Sequence, residues 1–230
     1  MSRRESFQGR PQNIDPNPGV YRQMTLGDKP SFSGGWTVLG IAGASGAGKT
    51  TLIREHVSQV PNAAAVHFDN YEAFTNGPDS MEQWLADGVN YDAWSSDRLE
   101  SDLRKLKEGG SIRHPKSGAE QGPVSKILFD APFGYANRRL GASIDFTVFL
   151  DVPLDIAMAR RLIRDTDNSE KTDLAMEMQN YLAYGRACYL AMNETVKQSC
   201  DLIVDAAYTV DKIASEILSK VCPQTPETER

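Results

Sequence analysis

The chain has 230 residues, a net charge of −6, 40% hydrophobic content and three cysteines. An acidic balance argues against general affinity for nucleic acid, which takes a basic face, and no run of about eighteen apolar residues is present to span a membrane. Cys188, Cys200 and Cys222 lack the C-x-x-C spacing of a zinc or redox motif and read as ordinary thiols. No apolar stretch follows Arg3 and Arg4, so no secretory signal is expected and the location expected is cytoplasmic.

Residues 1–35 are rich in Pro, Gly, Ser, Asn and Gln without an apolar period, and read as a disordered or loosely docked arm. From 36 to 42 a short β-branched apolar run reads as a buried parallel strand, and residues 51–60 place apolar side chains at 52, 53, 57 and 60, one face of a helix. Between them lies Gly43, Ala44, Ser45, Gly46, Ala47, Gly48, Lys49, Thr50 and Thr51, which fits G-x-x-x-x-G-K-[ST]. Glycines let such a loop curl its N–H groups around phosphates, the lysine neutralises the β/γ-phosphates, and the hydroxyl of Thr50 takes a position on Mg²⁺. The helix that follows adds the positive end of its dipole. The chain is thus expected to bind ATP with Mg²⁺.

A second strand, 63–68, ends at Asp69-Asn70-Tyr71. Asp69 is placed either to take a hydroxyl proton as a general base or, more simply, to cap the next helix. A turn at Asn76-Gly77-Pro78 leads into a stretch with Trp84, Tyr91 and Trp94; Tyr71, Phe74, Tyr91 and Trp94 could line an acceptor pocket or belong to the core, while Asp92, an acid beside aromatics, could hold a diol. Residues 96–107 carry leucines at 99, 103 and 106 and an acidic start, an amphipathic helix closed by Gly109-Gly110. The polar stretch 111–124 reads as a loop. His56, His67 and His114 have no ligand-like neighbours in sequence and are assigned structural roles.

Lys126 to Asp130 reads as a third strand, with Asp130 able either to serve the magnesium ion or to cap a helix. Residues 144–152 make a fourth strand. The helix from 154 to 164 brings Arg160, Arg161 and Arg164; positions four apart share a face, so Arg160 and Arg164 can turn together toward a triphosphate, with Arg161 on the solvated side. Residues 165–172 read as a mobile lid, 172–199 as a long helix holding Gly185 and Arg186, a candidate substrate contact, 201–205 as a fifth strand and 210–221 as a closing helix; 222–230 is a flexible end. Strand and helix alternate throughout. The expectation is an α/β P-loop NTPase domain over 36–221, a five-stranded parallel sheet with helices on both faces, whose first three strands deliver their ends to one crevice.

These segments together resemble the uridine kinase and phosphoribulokinase-like family of P-loop kinases. Gly43 to Thr51 is similar to its phosphate loop, Asp69-Asn70-Tyr71 to its D-x-[FY] motif, Asn90-Tyr91-Asp92 to its N-[FY]-D segment, Asp130-Ala-Pro-Phe-Gly to its E-G-hydrophobic segment with Asp for Glu, and Arg160-Arg161-Leu-Ile-Arg164-Asp165 to its arginine helix before the lid. The chain departs from the pattern where uridine kinases carry an aromatic-acid-aromatic strand and a histidine, and in its lid, which lacks R-G-[RK]. The resemblance implies Asp69 as base, Lys49 as γ-phosphate ligand, Thr50 as metal ligand, Arg164 as lid arginine and Asp92 as acceptor contact. It implies an ATP-dependent kinase acting on a hydroxyl of a nucleoside or sugar-like alcohol. A nucleotide kinase, a P-loop protein that hydrolyses or senses nucleotide without a small acceptor, and a homo-oligomer stay open.

Overall fold

A computed structural model describes residues 37–167 and 173–221. The expected arm, the C-terminal end with Cys222, and most of the expected lid lie outside the described residues. Five strands, β1 (Val38–Ala42), β2 (Ala63–His67), β5 (Lys126–Asp130), β6 (Phe146–Asp151) and β7 (Leu202–Asp205), form one sheet in the order β2-β5-β1-β6-β7, every pairing parallel. Two further strands, β3 (Ile112–Arg113) and β4 (Glu120–Gln121), pair antiparallel.

Alternation along the strands assigns the two faces. Leu128 of β5 joins a core with Leu52 and Ile53 of α1 (Lys49–His56), Ala157 of α5 (Leu154–Asp167) and Ile213, Ile217 and Val221 of α8 (Val210–Val221). Its neighbours Ile127 and Phe129 point the other way, onto Leu99, Leu103 and Leu106 of α3 (Asp97–Lys107) and Leu140 of α4 (Arg138–Gly141). Period two on the strand and the 99, 103, 106 spacing on the helix are thus two statements of one contact. Ser96, whose Oγ accepts from Leu99 N, starts α3, a cap worth about 1 kcal/mol.

A third cluster covers the end of the sheet where the strands finish. Trp84 of α2 (Met81–Ala86) and Tyr91 pack against Cys188, Met192 and Val196 of α7 (Arg186–Ser199). The long helix expected over 172–199 is continuous from α6 (Leu174–Asn180) through a π-helical turn, Tyr181–Gly185, into α7. The stretch expected as a loop at 111–124 is corrected: it holds the β3–β4 hairpin, closed by His114 N to Ala119 O and Gly118 N to His114 O, both 2.8 Å. Strands of two residues are too short to leave an alternating pattern.

The hairpin lies against the sheet edge. Gln121 Nε2 donates to Ala65 O at 2.7 Å, occupying an acceptor that β2 would otherwise expose as an edge strand.

Candidate active site

Parallel strands bring their carboxyl ends to one side, and β1, β5 and β2 are neighbours there. The loop from β1 into α1 has the backbone that its glycines permit. Gly46 stands at φ +85°, and a Cβ on it would lie 2.0 Å from Ala157 O of α5, so no side chain fits. Gly43, at φ +140°, faces Leu150 O in the same way at 2.9 Å. Lys49 at the head of α1 folds over this loop, its Nζ donating to Gly43 O at 3.0 Å and Ala44 O at 3.2 Å.

Asp130, at the end of β5, is almost fully buried. Its Oδ2 accepts from Thr50 Oγ1 at 3.0 Å and its Oδ1 lies 4.0 Å from Lys49 Nζ. Burial alone would raise its pKa, but the nearby Lys49 charge first, then the adjacent His67 and the Thr50 hydrogen bond, outweigh it and hold the carboxyl below its ordinary value. His67 Nδ1, 3.9 Å from Oδ2, is beyond hydrogen-bond reach; it is buried without a hydrogen-bond partner among the described residues.

Would these residues suit a magnesium ion? Mg²⁺ takes oxygen ligands, usually one or two protein groups completed by substrate phosphates and waters. A hydroxyl and a carboxylate 3.0 Å apart beside a phosphate-type loop fit that requirement.

His67 pairs in register with Asp130. Asp69 therefore stands two residues beyond the level of the buried carboxylate, in the 3₁₀ turn Phe68–Phe74, exposed and without a hydrogen bond of its own among the described residues. A cavity of about 290 Å³ is lined by Trp84, Trp94, Phe133, Tyr181, Tyr184, Tyr189 and Met192, with Arg161, Glu177 and Asn180 among its polar groups.

The aromatic residues expected at an acceptor pocket divide. Trp94 lines the cavity, its ring 5.4 Å from Phe133. Tyr91 is corrected: it is buried behind the cavity wall, between Trp84 and Phe133, with its hydroxyl 3.0 Å from Thr195 Oγ1. Tyr71 is corrected too, being 1% exposed in the α3 core with its hydroxyl donating to Asp102 Oδ2 at 3.1 Å. Its phenol is driven above its usual range first by burial and then by Asp102. Both side chains answer to packing, since aromatics beside helices fill cores before they fill sites.

Among the charged candidates, Asp92 does not offer free oxygens. Its Oδ1 accepts from Arg138 N at 2.7 Å and its Oδ2 from Arg138 Nε, so a diol at Asp92 must share these oxygens with Arg138 or displace its side chain. Arg186 is also corrected. It lines a different groove, with Asp155, Met158, Leu162 and Leu190 between α5 and α7.

The expected pairing of Arg160 with Arg164 does not form a shared grip: Arg160 Nη1 donates to Ala206 O at 2.9 Å beyond β7, and Arg164 pairs with its neighbour Asp165. Arg161, for which a solvated face is one sequence reading, is the arginine of this helix that lines the cavity, held by Glu177 and by Asp165 at 3.5 Å. Asn180 was not singled out at all; only Gly185, an unusual residue inside a long helix, hinted that this turn was special. The π-helical turn there presents Tyr181, Tyr184 and Gly185 to the cavity, and such turns are frequent at functional sites.

The profile of the Phosphoribulokinase / Uridine kinase family matches residues 38–212. The chain belongs to this family. The uridine kinase of Borrelia hermsii (strain HS1 / DAH) is 29% identical over 188 residues, spanning 76% of this chain and 89% of that one. The uridine kinase of Brevibacillus brevis is 26% identical over 198 residues, 79% of this chain and 90% of that one. Among solved structures, shikimate kinase from Acinetobacter baumannii superposes with a TM-score of 0.47 at 15% identity, over 80% of this chain and 91% of that one. Membership of the phosphoribulokinase/uridine kinase family makes this an ATP-dependent phosphotransferase with a small-molecule acceptor.

Proposed function

We propose that the acceptor is a nucleoside and that the chain transfers the γ-phosphate of ATP to a ribose hydroxyl, with Asp69 as general base. The observation that carries this reading is the register of β2 with β5: Asp69 follows by two residues the partner of Asp130, the carboxylate that accepts from Thr50 at the end of the phosphate loop. Six aromatic rings around a space of about 290 Å³ suit a flat base, and relatives named uridine kinase over most of their length support it.

In this reading the main-chain N–H groups of residues 43–50 cradle the triphosphate, and Lys49 exchanges its loop carbonyls for phosphate oxygens. Thr50 and Asp130 would hold magnesium, which when bound offsets charge on the β- and γ-phosphates. Asp69 takes the proton from the acceptor hydroxyl as its oxygen bonds to the γ-phosphorus. The bond from that phosphorus to the bridging oxygen breaks, and ADP leaves with the electron pair. Arg161, inside the cavity and paired with Glu177 and Asp165, is the basic group positioned to meet charge near the acceptor end. A hydroxyl nucleophile gains from a carboxylate base, whereas a phosphate nucleophile would not, and this favours an alcohol acceptor over a nucleotide.

The test is a panel of nucleosides, pentoses, pantothenate and glycerate, scored by ADP release over the rate with water alone. A nucleoside should stimulate most. Asp69→Asn should keep affinity for a nonhydrolysable ATP analogue and lose transfer by about a hundredfold or more. Stimulation by a non-nucleoside only, or full transfer by the variant, overturns the assignment.

A further inference from the structure

His114 follows β3, and its ring nitrogens have unequal duties. Nδ1 accepts from Lys116 N at 3.3 Å and Ser117 N at 3.1 Å. A nitrogen accepting two backbone N–H groups carries no proton, so in the neutral ring the proton sits on Nε2 and that nitrogen is a donor. Nε2 lies 3.2 Å from the side-chain amide of Asn70. Only the carboxamide oxygen can accept there, and because amide oxygen and nitrogen are assigned from their partners, the group facing His114 is Oδ1.

Asn70 directly follows Asp69. The next residue, Tyr71, donates to Asp102 Oδ2, which also receives Arg98 Nε at 2.7 Å; Arg98 Nη2 in turn donates to Arg113 O at 3.1 Å. Two struts therefore leave consecutive residues of one turn, 70 and 71, and land on consecutive residues of the hairpin, 114 and 113. They close a ring. The Asp69 side chain makes no hydrogen bond among the described residues, so its direction follows from the 3₁₀ turn, which these struts fasten to the hairpin alongside the core packing of Phe68 and Tyr71.

We propose that His114 is a positioning residue for Asp69, acting through Asn70: its Nε2–H locks the turn to the β3–β4 hairpin and holds the carboxylate toward the acceptor. This rests on the reading of Asp69 as the base. It sets the hairpin beside the catalytic chemistry without requiring that His114 touch the substrate.

Asparagine in place of His114 keeps an acceptor near the position of Nδ1 and removes the Nε2 donor, while glutamine keeps a donor near Nε2. The experiment uses the full chain with Mg-ATP and the nucleoside turned over fastest by the wild type. His114→Asn should lower kcat about tenfold, the value of one lost hydrogen bond at a reacting geometry, and leave affinity for a nonhydrolysable ATP analogue within about twofold. His114→Gln should recover most of the loss. From the other side, Asn70→Ala should match His114→Asn, Asn70→Asp should not, and the Ala/Asn double variant should be no worse than either single. These Asn70 variants decide the matter even if His114→Asn fails to fold. Nitrogen-15 shifts of the His114 ring should show a bare Nδ1 and a protonated Nε2. A wild type that phosphorylates no acceptor sinks the reading of Asp69 and this inference with it. A wild type that does, with His114→Asn equally active, with His114→Gln equally impaired, with additive losses in the double variant, or with a protonated Nδ1, overturns the inference alone.

Discussion

The Thr50 hydroxyl donates to Asp130 Oδ2 across 3.0 Å, so the second residue of α1 and the last residue of β5 are tied before any ligand arrives. Such a pair is set in advance for a cation, since neither group must be reoriented when one binds. Asp130→Asn should therefore weaken Mn²⁺ binding to the ADP complex, read by the loss of free-ion EPR signal, by about tenfold or more. Thr50→Ala should do the same. Unchanged affinity in both would remove the metal assignment.

The arginine helix offers a comparison within one element. Arg161 lines the aromatic cavity and is paired there with Glu177 and Asp165, whereas Arg164 is half exposed and paired with the adjacent Asp165 away from the cavity. Arg161→Met should cost about a hundredfold in kcat/KM for the acceptor, the scale of removing one fixed charge stabiliser, and Arg164→Met distinctly less. The reverse order would mean that the helix turns, or that the segment after it moves Arg164 inward, on binding.

Much of this was legible in the sequence because it depends on local pattern. The five strands of the sheet and the helix with leucines at 99, 103 and 106 follow from apolar periods, and the loop from Gly43 to Thr51 is recognisable because its φ angles and close approaches admit little except glycine at 43 and 46. What escaped is set by distant partners. Nothing in residues 90–92 says that Arg138, 46 positions on, will take both oxygens of Asp92, or that Tyr71 will meet Asp102 inside a core. The two-residue strands of the hairpin are likewise held by His114 and Gln121 contacts that leave no periodic trace.

The Asp92–Arg138 pair makes its own prediction. Arg138 is 84% exposed at the side chain while Asp92 is only 16% exposed, so the arginine lies over the acid as a cover. If the acceptor's diol uses Asp92, it competes with that cover. Arg138→Ala should then lower the acceptor KM by about threefold to tenfold, since an exposed ion pair is worth up to about 1 kcal/mol, and should leave kcat nearly unchanged. An unaltered KM would show that Asp92 serves to fasten α4 and not to bind the acceptor.

Stability in acid should trace to a different carboxylate. Asp145 receives Thr37 N at 2.9 Å and Val38 N at 2.8 Å on Oδ2 and Lys107 Nζ at 2.6 Å on Oδ1, tying the start of β1 and the end of α3 to the entry of β6. Partial burial pushes its pKa up, but the Lys107 hydrogen bond, the two main-chain donors and the Lys107 charge push harder and hold it below its ordinary value. A carboxyl with a depressed folded pKa stabilises the fold above its unfolded value, about 3.9, and that contribution is lost as pH falls through the lower folded one. Melting temperature should therefore drop below about pH 4 in the wild type, partly on account of Asp145. Asp145→Asn should melt lower at pH 7 because a charged acceptor for three donors is gone, yet show a shallower decline as pH falls below about 4, where it has no proton to take up. Parallel acid limbs for the two chains would mean that other carboxylates carry the acid sensitivity and that this junction is not coupled to unfolding.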